Sequence, residues 1–377
     1  EVVREEAPTR PVTCGCNNIA EADASGFAQL LDVAGYNGGG GSCFRYEEDH
    51  RRYPERKIVA TEVPHTFQTR GVYRTRTWIR DGRDNPELEK IMVPDLTNEE
   101  IFPEFDDSYW SSYDNGFVRI CARDSWRRTK ELPFVCGEFR WTGFDYLGES
   151  PGWPAKAGNF GIIDLAGFPK DTYYFYQSEW TEQPMVHLLP HWTWPGKEGV
   201  VVPVWCYTNC ATVELFLNGE SLGRRAKGQR LCIQWDVPYT PGVLTAVGSL
   251  DGEEVCSESK VTAESPTRIQ LETAESAADV DKTGIIHVLA AVTDANGVLV
   301  PGACDRLYFD IDGPADLVGL ENGDPLDIQN YGDWNRCAFH GRCLAILRCK
   351  GERVPVTVKA TAPALESASV SVETTGL

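Results

Sequence analysis

Glu62 and His65 stand three residues apart at the end of a short apolar run, KIVATEVPH, spanning residues 57–65. Ile58, Val59 and Ala60 make that run small and branched. A buried parallel strand has this character, and it delivers its polar group at the C-terminal end. Held there, Glu62 is either a reacting carboxylate or a structural acid that caps a helix or faces Arg70. About seventy-five residues later a second run, FVCGEFRWTGFD, ends in the indole of Trp141 and the acid of Asp145. Within it Glu138 follows Gly137 in an otherwise apolar stretch, so burial raises its pKa unless a neighbour pairs with it. Its expected role is to orient a basic side chain.

The elements that must position these groups alternate between strand and helix up to about residue 185. Val12–Cys16 reads as a strand closing on Asn17-Asn18, and Phe27–Leu31 as the end of a helix. DVAGYN is a strand before the glycines at 38–41, and YEEDHRRYPERK a charged helix. The Glu62 strand, a long acidic connection through 81–115 and the Trp141 strand follow. Repeated strand–helix units build a parallel sheet. Four barrel-type strands are present, half of what closure requires. From Pro184 the grammar changes to alternating strands separated by Asn-Gly, Pro-Gly and Asp-Gly turns, which is a β-sandwich pattern. Pro266 opens a second run of the same kind. The expected division is 1–185, 186–265 and 266–377, with no helix of any length needed after 185.

A chain of 377 residues with 42% hydrophobic and 24% charged composition is globular and multidomain. Its formal net charge of −20 argues against nucleic acid or an anionic membrane as partner. No apolar run reaches the ~20 residues of a membrane span. The chain opens on Glu1 without a Met, inside what reads as a helix tail, so a truncated N-terminus is expected. Thirteen cysteines lack paired C-x2-C knuckles. Most sit among strand hydrophobes, so buried free thiols in a reducing, cytoplasmic setting are expected, and no metal site.

Together RPVTCGCNNI, LDVAGYN, RKIVATE, RGVY, FVCGEFRWTGFDYLGE, NFGIIDLAGFPKDTYYFYQSEW, PHWTWPGKEG and YTNCATVELFLNGESLG resemble glycoside hydrolase family 2, in its β-galactosidase-like form. The likeness runs over nearly the whole chain, since LENGDP and CLAILR resemble the last accessory sandwich of that family. It implies the second half of a TIM (β/α)8 barrel followed by two immunoglobulin-like β-sandwiches. The implied activity is retaining exo-hydrolysis of a β-galactoside or related oligosaccharide, which uses two carboxylates about 5–5.5 Å apart. The resemblance makes Glu62 the nucleophile and puts the acid/base Glu upstream of residue 1. It gives His65 a sugar hydroxyl, Trp141 the floor of the innermost subsite, and Asn159 a place at the pocket. Asn159, Asp164 and Lys170 line that pocket or hold a cation; a Mg or Na ion and a homo-oligomer are both compatible with the family. Trp153, Trp192 and Trp194 either rim an aglycone site or, as is expected, weld the first sandwich to the barrel.

Two positions depart from the pattern. Where the family often carries a Tyr whose hydroxyl reaches the nucleophile, this chain has Gly38, and Tyr36 is the substitute within reach. Where β-glucuronidases of the family carry Asn-x-Lys, this chain has Asn159-Phe160-Gly161, which disfavours a glucuronide. The rival reading is a non-catalytic carbohydrate-binding chain, or a complementing chain that works only with an N-terminal partner.

Overall fold

The computed structural model describes residues 2–38, 41–73, 75, 78–79, 91–92, 108–115, 120–273, 277–279, 284–352 and 354–375. Most of the acidic connection through 81–115 lies outside the described residues. The first unit is built on four short parallel strands in the order β1 (Thr13–Cys16), β2 (Val33–Tyr36), β3 (Ile58–Ala60) and β6 (Val135–Glu138). Two strand pairs lie outside this sheet: β4 (Trp78–Ile79) with β5 (Ile91–Met92), and β7 (Tyr146–Leu147) with β8 (Ala157–Gly158). Register pairs Cys16 with Tyr36, Tyr36 with Ala60, and Ala60 with Glu138. The C-terminal ends of all four strands are therefore level. Ile19, Ala34, Tyr36, Tyr46, Ile58, Ala60 and Val135 close the core beneath them.

The connections follow local chemistry. Asn18 caps the helix Ile19–Ala24 by accepting from the Glu21 amide. The segment read as a helix end near Phe27–Leu31 is a single 3-10 turn, Ala28–Leu30. The charged helix runs only from Tyr46 to Arg52. Pro54 sets that limit, because the residue before a proline leaves the helical region.

From residue 186 the chain is all strand. β9 (Val186–Leu189), β10 (Val201–Thr208) and β13 (Ile233–Pro238) form one antiparallel sheet. It faces β11 (Thr212–Leu217), β12 (Glu220–Ala226), β14 (Val243–Leu250) and β15 (Glu253–Val261). Asn218-Gly219 and Asp251-Gly252 both take left-handed backbone at each position, the tight turn that suits a twisted hairpin. The last unit sets β16 (Arg268–Thr273), β18 (Ile285–Thr293), β22 (Arg342–Cys349) and β20 (Ala315–Glu321) in one sheet. Its second sheet joins β17 (Ala277–Asp279), β24 (Ala368–Thr375), β23 (Val356–Thr361), β19 (Arg306–Asp312) and β21 (Asn335–Cys337). Among the described residues no helix follows Trp180.

The units share surfaces. Phe175 and Tyr176, on the helix Asp171–Trp180, lie in one core cluster with Trp192, Trp194, Trp205 and Trp235. Trp192 and Trp194 thus join the first unit to the sandwich, as expected of them. Trp153 does not: it is 81% exposed.

Candidate active site

Glu62 follows β3 by two residues, and each of its oxygens has a partner. His65 Nε2 lies 2.8 Å from Oε1, and Asn37 Nδ2 donates to Oε2 at 2.9 Å. Asn37 comes directly after β2; its Nδ2 also donates to Asn17 Oδ1, directly after β1. Thr61 Oγ1 donates to Asn37 Oδ1 at 3.1 Å. Three strand ends therefore converge on one carboxylate. Small residues one layer down allow the approach: a Cβ on Gly35 would sit 2.3 Å from the Cys14 carbonyl oxygen and 2.8 Å from Thr61.

Strand alternation removes Tyr36 from the site and puts its neighbour Asn37 there instead. The Tyr36 ring is fully buried, edge-on to Tyr46. Its hydroxyl donates to Asp49 at 2.9 Å and accepts from Arg56 at 3.2 Å. It does not line a sugar pocket. Arg70 likewise turns away from Glu62, to Asp164 at 2.6 Å.

Trp141 lies three residues past β6, its ring 6.3 Å from that of His65. Its Nε1 donates to Tyr146 Oη at 3.2 Å, and that hydroxyl donates to Glu149. Burial, and then the Glu149 carboxylate, push the Tyr146 hydroxyl up to about 12. Phe160 packs 5.2 Å from His65 and stacks on Tyr146, continuing the wall. Asn159 is buried, and its carboxamide makes no hydrogen bond among the described residues; its backbone carbonyl accepts from Gln68. Phe160, not Asn159, is the residue seen against His65.

The other acids are engaged elsewhere. Glu138 accepts from Thr129 at 2.9 Å and Ser125 at 3.1 Å, both on the helix Ala122–Glu131. Its partners are hydroxyls, not the basic side chain expected, and burial raises its carboxyl to about 7. Asp145 pairs with Lys170 at 2.7 Å deep in the protein. Burial raises Asp145 to about 6 against the pull of that lysine, and burial lowers the Lys170 ammonium. Asp145 and Asp164 are each paired with a buried cation, so neither carboxylate is left to hold a Mg or Na ion. No group of three His, Cys, Asp or Glu side chains gathers among the described residues.

A cavity of about 990 Å³ lies elsewhere, between the units, lined by Tyr73, His191, Trp194, Glu264 and His340. It contains none of the groups around Glu62, which stand at an open sheet end. Asn17, Asn37, Tyr146 and Phe160 are site residues that the sequence reading passed over. Both asparagines end a parallel strand just as Glu62 does, and the same rule applied to every strand finds them. What the cluster offers is one hydrogen-bonded carboxylate beside an aromatic wall.

The chain is similar to known proteins along most of its length. Residues 199–256 match a domain of unknown function (DUF4982), and 269–371 match the glycoside hydrolase family 2 C-terminal domain 5. A Formosa agariphila protein named "Putative beta-glucuronidase" is 39% identical over 92% of this chain and 34% of its own length. The beta-galactosidase BoGH2A of Bacteroides ovatus is 34% identical over 97% of this chain and 42% of its own. The crystal structure of a beta-glycosidase from Bacteroides vulgatus superposes with a TM-score of 0.85 at 40% identity, covering 99% of this chain and 48% of that one. The chain thus spans less than half the length of each of these relatives. It belongs to glycoside hydrolase family 2.

Proposed function

We propose that this chain supplies the nucleophile of a retaining exo-β-glycosidase that acts on a neutral β-hexoside, with a β-galactoside as first choice. One observation carries the reading: Glu62 stands at the C-terminal end of a parallel strand, with His65 and Asn37 on its two oxygens and Trp141 beside it. On this reading residues 1–185 are the second half of a (β/α)8 barrel, and 186–265 and 266–377 are immunoglobulin-like sandwiches. The acid/base Glu comes from a segment outside these residues, and the parent protein is the chain joined to that segment. Glu62 attacks the anomeric carbon, the glycosidic C–O bond breaks, and the acid protonates the departing oxygen. Water, deprotonated by the same group, then releases the sugar. The aromatic face of Trp141 suits the C–H side of a galactoside.

The sugar is chosen from the stretch Asn159-Phe160-Gly161, which carries no lysine to meet a carboxylate. The relatives bear both names, β-glucuronidase and β-galactosidase. A 2-deoxy-2-fluoro-β-galactoside should inactivate the parent protein and leave its label on Glu62. Label on Glu138 or Glu149 refutes the assignment. Faster turnover of a nitrophenyl glucuronide than of the galactoside refutes the choice of sugar.

A further inference from the structure

We infer that Asn37 is a positioning residue for Glu62, fixing where the carboxylate sits; this rests on Glu62 being the nucleophile. His65 belongs to the same loop as Glu62 and moves with it. Asn37 belongs to a different strand, so among the described residues it is the group that ties the carboxylate to the sheet.

The carboxamide has one workable orientation. Thr61 donates to its Oδ1, so the two N–H bonds of Nδ2 serve Asn17 Oδ1 and Glu62 Oε2. A flipped amide sets its oxygen against the Glu62 carboxylate. The backbone is held as well: the Asn37 amide donates to the Cys16 carbonyl, and the Asn37 carbonyl accepts from Ser42. Gly38 then turns away with φ +98°, where a Cβ would lie 2.8 Å from the Asn17 carbonyl oxygen. No larger side chain fits at that turn without shifting the strand end.

A neutral donor is what a carboxylate nucleophile needs. It holds one carboxylate oxygen by a hydrogen bond without the full counter-charge that an ammonium or guanidinium would bring. In the covalent step a Glu62 oxygen bonds to the anomeric carbon and the leaving group takes the electrons of the broken C–O bond. With a 2,4-dinitrophenyl leaving group, the phenolate departs without a proton.

The test uses inactivation of the parent protein by 2,4-dinitrophenyl 2-deoxy-2-fluoro-β-galactoside, with the binding constant and the rate of the covalent step measured separately. Asn37→Ala is expected to slow the covalent step roughly 10–100-fold with the binding constant little changed. Asn37→Asp slows it further, because a second carboxylate then faces Glu62. Thr61→Ala gives a smaller change of the same sign. An unchanged covalent rate in Asn37→Ala overturns the inference. So does a slower rate that comes with a lowered melting temperature and an equally weakened binding constant, which marks a structural role alone. Peptide mapping keeps the two readings apart: wild-type label away from Glu62 overturns the nucleophile assignment and this inference with it. Label on Glu62 with Asn37→Ala unaffected overturns this inference alone.

Discussion

Glu62 is set apart from the acids around it by its partners. Asp145 and Asp164 face buried cations, Glu138 faces hydroxyls, and Glu149 accepts from a tyrosine. Among the described acids only Glu62 combines an imidazole and a carboxamide at a strand end open to a ligand, with 29% of its side chain exposed. In the parent protein, Glu62→Gln should lower turnover by several orders of magnitude while circular dichroism and melting stay as in the wild type. Wild-type rates in that variant rule Glu62 out. His65→Ala should raise the barrier in kcat/KM by about 1–3 kcal/mol if the imidazole holds one sugar hydroxyl; unchanged kcat/KM returns His65 to a structural role. Glu62, His65 and Trp141 were legible in the sequence because each ends or follows an apolar run bounded by polar residues. Tyr36 was misread by one position. The run DVAGYN does not reveal which of its alternate residues faces inward, and only the paired register with β1 and β3 decides for Asn37.

At the scale of elements, β6 presents an acid to a helix rather than to the site. The Oε1 atom of Glu138 is sealed from solvent and finds no hydrogen bond among the described residues, and burial raises its carboxyl to about 7. An unfolded Glu titrates near 4.3. The folded state therefore holds this proton more tightly between roughly pH 4 and 7. Stability from this group is complete below the unfolded pKa and is lost as pH rises through about 7. Glu138→Gln should remove that slope, and at pH 8 it should gain on the order of 1–2 kcal/mol relative to wild type. Chemical denaturation at pH 5 and pH 8 measures it; equal slopes for variant and wild type refute the account. The strands that the sequence announced were the apolar alternators, β10, β14 and β18 among them. It hid β12 (ESLGRRA) and β15 (EEVCSESKV), whose residues are nearly all at least partly exposed. Their places are fixed by left-handed Asn-Gly and Asp-Gly turns that fold them back onto β11 and β14, so turn chemistry supplies what hydrophobic pattern does not.

For the whole molecule, the weak part is the first unit, and its outer strands show why. β1 and β6 each lack a further neighbour among the described residues, and an open parallel edge invites pairing with another chain. The sandwiches close cores of their own around Trp205, Trp235 and Leu215 in one, and Val288, Leu307 and Leu347 in the other. The sequence places their boundary near 185, and the core of the first sandwich also takes in residues upstream of it. Phe175 and Tyr176 pack into the first sandwich core, and His187 holds Asp171 at 2.8 Å. Arg70 adds a bond to the Asn322 carbonyl at 2.7 Å, linking the loop after Glu62 to the last unit. Limited proteolysis of the isolated chain should therefore leave a resistant fragment that begins before Asp171, not after it, while cuts collect nearer the N-terminus. The isolated chain should also fail to hydrolyse lactose, because departure of an unactivated sugar needs a proton that general acid catalysis supplies for about 10²–10⁴-fold in rate. Glu138 is turned to its helix and Glu149 is held by Tyr146, so neither is placed to serve as the proposed acid. If that acid lies on a further segment, as proposed, joining the segment should restore lactose turnover and protect the first unit together. Turnover of lactose by a monomeric, protease-resistant 377-residue chain refutes both the proposed outside acid and the open edge.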